Sequence, residues 1–200
     1  MALGLEAARR LFEHGEFRQM IESTDLSERG IPTLNVEYCA LLAHALVQTG
    51  DLSTATRLAL LAAQRSSQPS LRSKAHVVLG IVAECSGDMA AALEHFQIAV
   101  RLASNGNDYV QSAWAHLRLL RHLVDRSSMS AVTAMLPEVR RSVIRAGSVH
   151  AIAYLHQSVS VHEGQVGRIN EALRHCDVLD SLISTAPNLW LTTGNLVIAE

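Results

Sequence analysis

The chain has 200 residues, of which 48% are hydrophobic, 18% are charged and only 4% are aromatic. This composition excludes an intrinsically disordered chain, and a core of small aliphatic side chains with few prolines and glycines favours helices over an all-β fold. The net charge of −2 provides no overall field that would attract nucleic acid or an anionic membrane.

Short turns that contain a glycine recur along the chain, and each separates two amphipathic segments. The glycines are 35, 37 and 80 residues apart and stand at Gly15, Gly50, Gly87 and Gly167. Because the last gap is about two periods long, we expect a further copy inside it, with a turn at residues 125–127 that lacks a glycine. A repeated unit of this length with two helices indicates a helical-repeat solenoid.

The best-preserved copy spans residues 73–104. Its apolar residues fall at the helical i, i+3, i+4 spacing on both sides of the turn. We expect Gly87 to end the first helix in the left-handed conformation and Asp88 to cap the second helix. So short a joint places the two helices antiparallel, and Gly80 is expected where they cross closely.

The same copy carries part of a known repeat signature, with Leu79-Gly80 and Ala83 in its first segment and Ala92-x3-Phe96 in its second. On these residues the chain resembles the tetratricopeptide repeat (TPR) family, as a divergent bacterial-type member without the first-helix aromatics and the closing proline. The resemblance implies an all-α fold of the α-α superhelix class, a solenoid of antiparallel helix pairs. We expect one domain over residues 1–200 with about five TPR-like repeats, at approximately 1–33, 34–69, 70–106, 108–147 and 148–187.

The C-terminal segment 188–200 opens like the first helix of another copy, because Trp190 stands where Trp114 stands in the fourth copy. This segment is either the first helix of a further repeat or a C-terminal cap. A solenoid needs a polar cap on its last apolar face, and this segment is rich in apolar residues. We therefore expect a fragment of a longer protein, with the uncapped helix available for contacts in an oligomer.

The fourth copy contains Pro137 in the middle of residues 130–146, where a helix is expected. Proline removes a backbone donor and clashes with the preceding turn unless it lies near a helix start. We expect the helix to start or to kink at Pro137, with residues 128–136 forming a short helix that ends before it.

Ten histidines and three cysteines offer no local motif for a metal or for catalysis. No pair has His-x3-His or Cys-x2-Cys spacing, and His150, His156 and His162 fall on different faces of a helix. The chain also lacks a glycine-rich phosphate loop and a nucleophile elbow. We expect no enzyme activity, no cofactor and no metal.

Scaffolds of the tetratricopeptide family generally bind partners in the groove lined by their first helices. Carried over to this chain, the resemblance implies a mixed, rather apolar groove. Such a surface suits an amphipathic helix or an extended apolar peptide. The predicted partner-binding residues are Arg9, Phe12, His44, Val47, Gln48, Val77, Ile81, Glu84, Leu119, His122, Gln157 and Val161.

Residues 101–150 contain seven arginines and only three acidic residues. They predict a basic patch, either for an acidic peptide or, less favoured, for nucleic acid. The preferred interpretation is a solvated helical face. The residues of the patch are Arg118, Arg121, Arg126, Arg140, Arg141 and Arg145.

Together these patterns predict a non-catalytic scaffold for a protein or peptide partner, as the sensory or adaptor part of a larger bacterial regulator. The alternative is a domain that senses a peptide or small ligand and packs on an effector domain absent from this chain. The scattered cysteines and the absence of a signal peptide or membrane-spanning segment predict a cytoplasmic protein with no membrane partner.

Overall fold

A computed structural model of the chain describes residues 4–27 and 30–185. These residues form ten α-helices, one 3-10 helix at Ile31–Thr33 and no strand, which confirms the predicted all-α fold of the α-α superhelix class. The helices are α1 (Leu5–Glu13), α2 (Phe17–Glu22), α3 (Val36–Thr49), α4 (Leu52–Arg65), α5 (Pro69–Cys85), α6 (Met89–Ser104), α7 (Tyr109–Asp125), α8 (Met129–Ala146), α9 (Val149–Gln165) and α10 (Ile169–Thr185).

The helices pack as consecutive pairs, α1 with α2, α3 with α4, α5 with α6, α7 with α8 and α9 with α10. The contacts divide the chain into two compact units, Met1–Asn107 and Asp108–Glu200. In unit 1 the first helix of the second pair, α3, packs on both α1 and α5; in unit 2 α7 packs on α9. The single domain over residues 1–200 stays a prediction, and the predicted helix or cap at residues 188–200 lies outside the described residues.

The turns within the pairs have the left-handed backbone that the glycine spacing predicts. Gly87 has φ of +80°, and the corresponding glycines of the other glycine-containing turns also have positive φ. In the fourth pair the same position is taken by Ser127, with φ of +52°. The expected turn without a glycine is therefore present. Ser127 is the equivalent of the turn glycines, and residues of the fourth pair are matched to those of the other pairs by counting from it.

Aspartates cap the second helices of two pairs, and the cap expected at Asp88 is present. The carboxylates of Asp51 and Asp88 accept hydrogen bonds of 3.0 Å from the backbone N–H groups of Thr54 and Ala91. These bonds satisfy N–H groups that have no partner within the helix. In the last pair, Arg168 takes this position and forms an ion pair with Glu163 at the end of α9.

Each unit buries its own aliphatic core. In unit 1, α3 and α4 bury leucines among fully buried alanines, with Leu42, Leu46 and Leu58 almost completely covered. In unit 2, Leu117, Leu120 and the valines of α8 form the corresponding cluster. Alanines where helices meet allow the backbones to approach closely.

The prediction that a helix starts at Pro137, or ends just before it, is wrong. Helix α8 runs without interruption from Met129 to Ala146 and contains Pro137 in its interior. Val132 precedes the proline, Val139 and Val143 follow it, and all three are buried in the core of unit 2. Packing of both halves on one core outweighs the loss of a single backbone hydrogen bond at the exposed proline.

Candidate partner-binding surfaces

In unit 1 the first two pairs bring three rings together, which we call the Phe–His cluster: Phe12, Phe17 and His44. The ring centroids of Phe12 and His44 are 5.2 Å apart in an edge-to-face arrangement, and those of Phe12 and Phe17 are 5.5 Å apart. All three side chains are partly exposed. The cluster therefore offers a partly accessible aromatic surface on α1, α2 and α3.

An ion pair between α1 and α3 lies on the same two helices. The Arg9 guanidinium donates to both carboxylate oxygens of Glu37 at 2.9 and 2.8 Å, and also to Glu6 at 2.7 Å. The hydrogen bond from Arg9 and the nearby positive charges of Arg9 and Lys74 lower the pKa of the Glu37 carboxyl, while its partial burial opposes this. Arg9 is thus engaged within unit 1 by two carboxylates.

The structure brings together part of the groove predicted for unit 1. Arg9, Phe12 and His44 lie on adjoining first helices, and the Nε2 atoms of His44 and Gln48 are 3.4 Å apart. Val47 and Glu84 are partly exposed. Two predicted residues offer little surface to a partner, since only 6% of Val77 and 7% of Ile81 is exposed.

In unit 2 the first helices α7 and α9 form a second group, the Trp–Tyr cluster: Trp114, Arg118 and Tyr154. The rings of Trp114 and Tyr154 meet edge to face with centroids 5.7 Å apart. Arg118 donates a 3.0 Å hydrogen bond to the Tyr154 hydroxyl. All three side chains are partly exposed.

The sequence reasoning did not include Trp114 or Tyr154 in the partner-binding surface. A signal was present, because both residues lie 13 positions before the turn residue of their pair, Ser127 and Gly167. Equal positions in stacked copies lie side by side on neighbouring first helices. The equivalence of Trp114 and Tyr154 can be recognised only when Ser127 is matched to the turn glycines. Because this turn has no glycine, the sequence alone did not show that match.

The register also explains where the predicted residues of unit 2 lie. Leu119 and Val161 are partly buried, but His122 is only 4% exposed and Gln157 only 9%. Counted from Ser127, His122 occupies the position of the fully buried Ala45 in α3, which is a core position. The residue equivalent to His44 and Val161 is Arg121, two places from the predicted Leu119.

The arginines of the predicted basic patch are distributed over α7, the following turn and α8. The Nε–H group of Arg121 donates to both carboxylate oxygens of Asp125, at 2.8 and 2.9 Å. The guanidinium carbon of Arg145 lies 4.4 Å from the ring centroid of Tyr109. Arg118 is held by Tyr154, whereas Arg126, Arg140 and Arg141 are exposed. Nucleic-acid binding by this patch stays a prediction.

Two histidine–histidine contacts join the first and second helices of a helix pair. His76 of α5 and His95 of α6 form the first histidine pair, with Nδ1 atoms 3.2 Å apart. His156 of α9 and His175 of α10 form the second, with Nδ1 atoms 2.9 Å apart. Local spacing could not reveal these pairs, because their members are 19 residues apart in the chain.

The surroundings of His76, His156 and His175 favour the neutral form of these rings. Burial, together with the charges of His95, Arg72 and Arg101, lowers the pKa of His76 to about 4. Burial and the charges of His175 and Arg140 lower the pKa of His156. The pKa of His175 is lowered by burial and by Arg140, with Glu163 and Glu171 acting in the opposite direction.

Three further observations concern metal-binding groups, cysteines and membrane-spanning helices among the described residues. No three or more His, Cys, Asp or Glu side chains in residues 4–27 and 30–185 converge in a way that would hold a metal ion. The three cysteines, all within these ranges, are free thiols. Each helix described is too short or too polar to cross a lipid bilayer.

No protein-family model and no curated protein sequence matches the chain. Solved structures with a similar fold include two at 18% sequence identity each. The crystal structure of MamA matches with a TM-score of 0.54 over 92% of this chain and 98% of its own. The crystal structure of BtubC (BKLC) from P. vanneervenii matches with a TM-score of 0.58 over 95% of this chain and 83% of its own. Both are TPR-like helical-repeat proteins, so the chain has a TPR-like helical-repeat fold.

Proposed function

We propose that the chain is a non-catalytic scaffold that binds a protein or peptide partner, with the Trp–Tyr cluster as its principal contact. The observation that carries this proposal is the partly exposed grouping of Trp114, Arg118 and Tyr154 on the stacked first helices α7 and α9. Tryptophan, tyrosine and arginine are the residue types that most often dominate the binding energy of protein interfaces.

The cluster is ordered before any partner arrives. The edge-to-face contact orients both rings, and the hydrogen bond from Arg118 holds the Tyr154 hydroxyl. A surface that is already ordered loses less side-chain entropy on binding, so more of its contact energy appears as affinity.

The same geometry indicates the chemistry of the partner. The hydrogen bond to the Tyr154 hydroxyl sets the position of the Arg118 guanidinium on the same helix as Trp114. An apolar side chain packed against the partly exposed ring of Trp114 would complement this surface. We infer a peptide segment with an apolar anchor residue.

The Phe–His cluster of unit 1 is a secondary contact in this proposal. Its neighbour Arg9 is already paired with Glu37 and Glu6, so this surface contributes mainly apolar area. Phe12, Phe17 and His44 therefore suit an aliphatic or aromatic side chain.

We place the scaffold in the cytoplasm, as the sensory or adaptor part of a larger bacterial regulatory protein. The free state of all three cysteines supports a reducing compartment. The alternative function is sensing of a peptide or small ligand, in which the repeats pack on an effector domain of a longer chain. It would use the same first-helix surfaces. Oligomer formation through residues 188–200 belongs to this proposal and is tested by the mass of the purified chain in solution.

The test is a selection of peptides from a phage-displayed random library on the full chain. The dissociation constants of the selected peptides are then compared for the wild type and its variants. Trp114→Ala and Arg118→Ala should each weaken binding about tenfold or more, as expected for central interface residues. Tyr109→Ala, at an aromatic residue that is 46% exposed on the same helix, is the matched control and should change affinity less than about twofold.

Two results would contradict the proposal. One is a set of selected peptides whose affinity is unchanged in both Trp114→Ala and the milder Trp114→Leu variant, with circular dichroism showing intact helices. The other is binding to RNA or DNA in place of peptides. In that case affinity should fall steeply with salt and disappear when Arg140, Arg141 and Arg145 are all replaced by alanine.

A further inference from the structure

The two histidine pairs occupy the same place in two different helix pairs. His76 and His156 each lie 11 residues before the turn glycine of their pair, and His95 and His175 each lie eight residues after it. In both pairs the two Nδ1 atoms face each other, and both pairs are partly accessible to solvent. The same arrangement therefore occurs twice, at Gly87 and at Gly167.

We propose that each histidine pair is a two-ligand site for a transition-metal ion such as Zn²⁺ or Ni²⁺. The ion would be bound by both Nδ1 atoms, to one side of the line that joins them, with solvent completing its coordination. It would join the two helices of the pair, α5 to α6 and α9 to α10. This proposal is independent of the peptide-binding proposal, because it involves neither the Trp–Tyr cluster nor the Phe–His cluster.

The spacing of the nitrogen atoms suits one ion. Two imidazole nitrogens at about 2.0–2.1 Å from a zinc ion lie roughly 2.9 Å apart at a right angle and roughly 3.4 Å apart at the tetrahedral angle. The observed Nδ1–Nδ1 distances of 3.2 and 2.9 Å lie within this range. To bind the ion, each ring must turn so that its Nδ1 lone pair leaves the line between the two nitrogens and points at the shared ion.

The protonation of the rings also permits binding. Only the neutral imidazole ligates a metal, and the low pKa of His76 means that protons do not compete at neutral pH. Without an ion, one Nδ1–H donates to the other Nδ1. Binding moves that proton to Nε2 of the same ring, which the two tautomers of neutral imidazole allow with no net release of a proton.

The charges around the pairs predict that the two sites differ in affinity. The first pair experiences the positive charges of Arg72 and Arg101, which oppose a cation. At the second pair Glu163 and Glu171, each also ion-paired with an arginine, act on His175 against the positive charge of Arg140. The second pair should therefore bind the ion more tightly than the first. Both should bind more weakly than sites with four protein ligands, because solvent supplies the remaining ligands.

The test is calorimetric titration of the full chain, purified without a tag and freed of metal, with ZnCl2 and with NiCl2 at neutral pH. Two ions should bind per chain with different affinities. His175→Ala should abolish the tighter site and His95→Ala the weaker one. His14→Ala, at an exposed histidine outside both pairs, should leave both sites unchanged. Arg72→Gln should tighten the weaker site severalfold.

A second measurement covers variants that fold poorly. His175→Gln and His95→Gln keep polar side chains of similar size, and the melting temperature of each variant is measured with and without saturating Zn²⁺. The ion should raise the melting temperature of the wild type and leave that of the double variant unchanged, because an ion that binds only the folded state stabilises it. No heat of binding up to about 1 mM Zn²⁺, or two ions still bound by the double variant, would overturn the proposal and leave the pairs as hydrogen bonds between neutral rings.

Discussion

Gly80 of α5 lies directly against the ring of Phe96 of α6. A Cβ atom at Gly80 would be 2.7 Å from Cδ1 and 2.8 Å from Cζ of that ring, both shorter than any normal contact. Phe96 is fully buried, so its ring has no open space into which to move. The large ring is accommodated because the facing position has no side chain, and the close crossing expected at Gly80 is present.

Replacing Gly80 with leucine should destabilise the chain by about 2 kcal/mol or more through overpacking. The free energy of unfolding, measured by urea denaturation followed by circular dichroism, is the readout. Gly80→Ala combined with Phe96→Leu should be less destabilised than the sum of the two single changes, because the smaller side chain makes room for the new methyl group. Unchanged stability in Gly80→Leu would contradict the close contact.

Replacing Ser127 with glycine should stabilise the chain. Ser127 has φ of +52°, a region that is unfavourable by roughly 1–2 kcal/mol for a residue with a Cβ. Part of this gain is offset, since glycine loses about 0.5–1 kcal/mol more in backbone entropy on folding. We expect a net gain of about 0.5–1 kcal/mol in the free energy of unfolding.

The reverse change at an equivalent turn provides the control. Gly87 has φ of +80°, and a Cβ there would meet no atom within 4 Å, so Gly87→Ser changes only the backbone preference. It should destabilise the chain by an amount similar to the gain in Ser127→Gly. Equal stability of both variants and the wild type would mean that the turn geometry does not matter energetically.

Replacing Pro137 with alanine should also stabilise the chain. Alanine is about 3 kcal/mol more favourable than proline inside a helix, and it restores an N–H donor to the carbonyl of Thr133. The more flexible unfolded chain of the variant offsets about 0.4–1 kcal/mol of this. Thermal unfolding should show a clear rise in melting temperature, whereas Arg141→Ala, at an exposed residue of the same helix, should change it little. A lower melting temperature in Pro137→Ala would show that the proline ring makes a necessary contact.

The ion pair between Arg9 and Glu37 should make part of the stability depend on pH. The pKa of Glu37 is lower in the folded state than the value of about 4.3 for an unfolded glutamate. The unfolded state therefore binds the proton more readily, so the contribution is complete above about pH 4.3 and is lost as the pH falls through the folded-state pKa. Melting temperatures of the wild type and Glu37→Gln should differ at pH 6 and converge in strong acid. A difference that stays constant down to pH 2 would contradict the assignment.

The parts of the fold that depend on residues close together along the chain could be predicted from the sequence. Gly87 ends a helix because only glycine adopts positive φ without steric cost, and Asp88 caps the next helix because its carboxylate reaches backbone N–H groups three residues on. The helical spacing of apolar residues and the recurrence of these turns then predict antiparallel pairs. The wrong prediction of a helix boundary at Pro137 has the same local origin, because local propensity does not include the valines that hold both halves of α8 on the core.

Contacts between distant residues were decided by the tertiary structure. His76 meets His95, and Trp114 meets Tyr154, because the packing and register of helices place those side chains on facing surfaces. That register depends on Ser127 acting as a turn residue, and no local property of serine reveals this role. Backbone sterics and capping act over a few residues and can be predicted from the chain itself. The positions of side chains across helices depend on close packing of the whole core, which is why the Trp–Tyr cluster and the two histidine pairs emerged only from the structure.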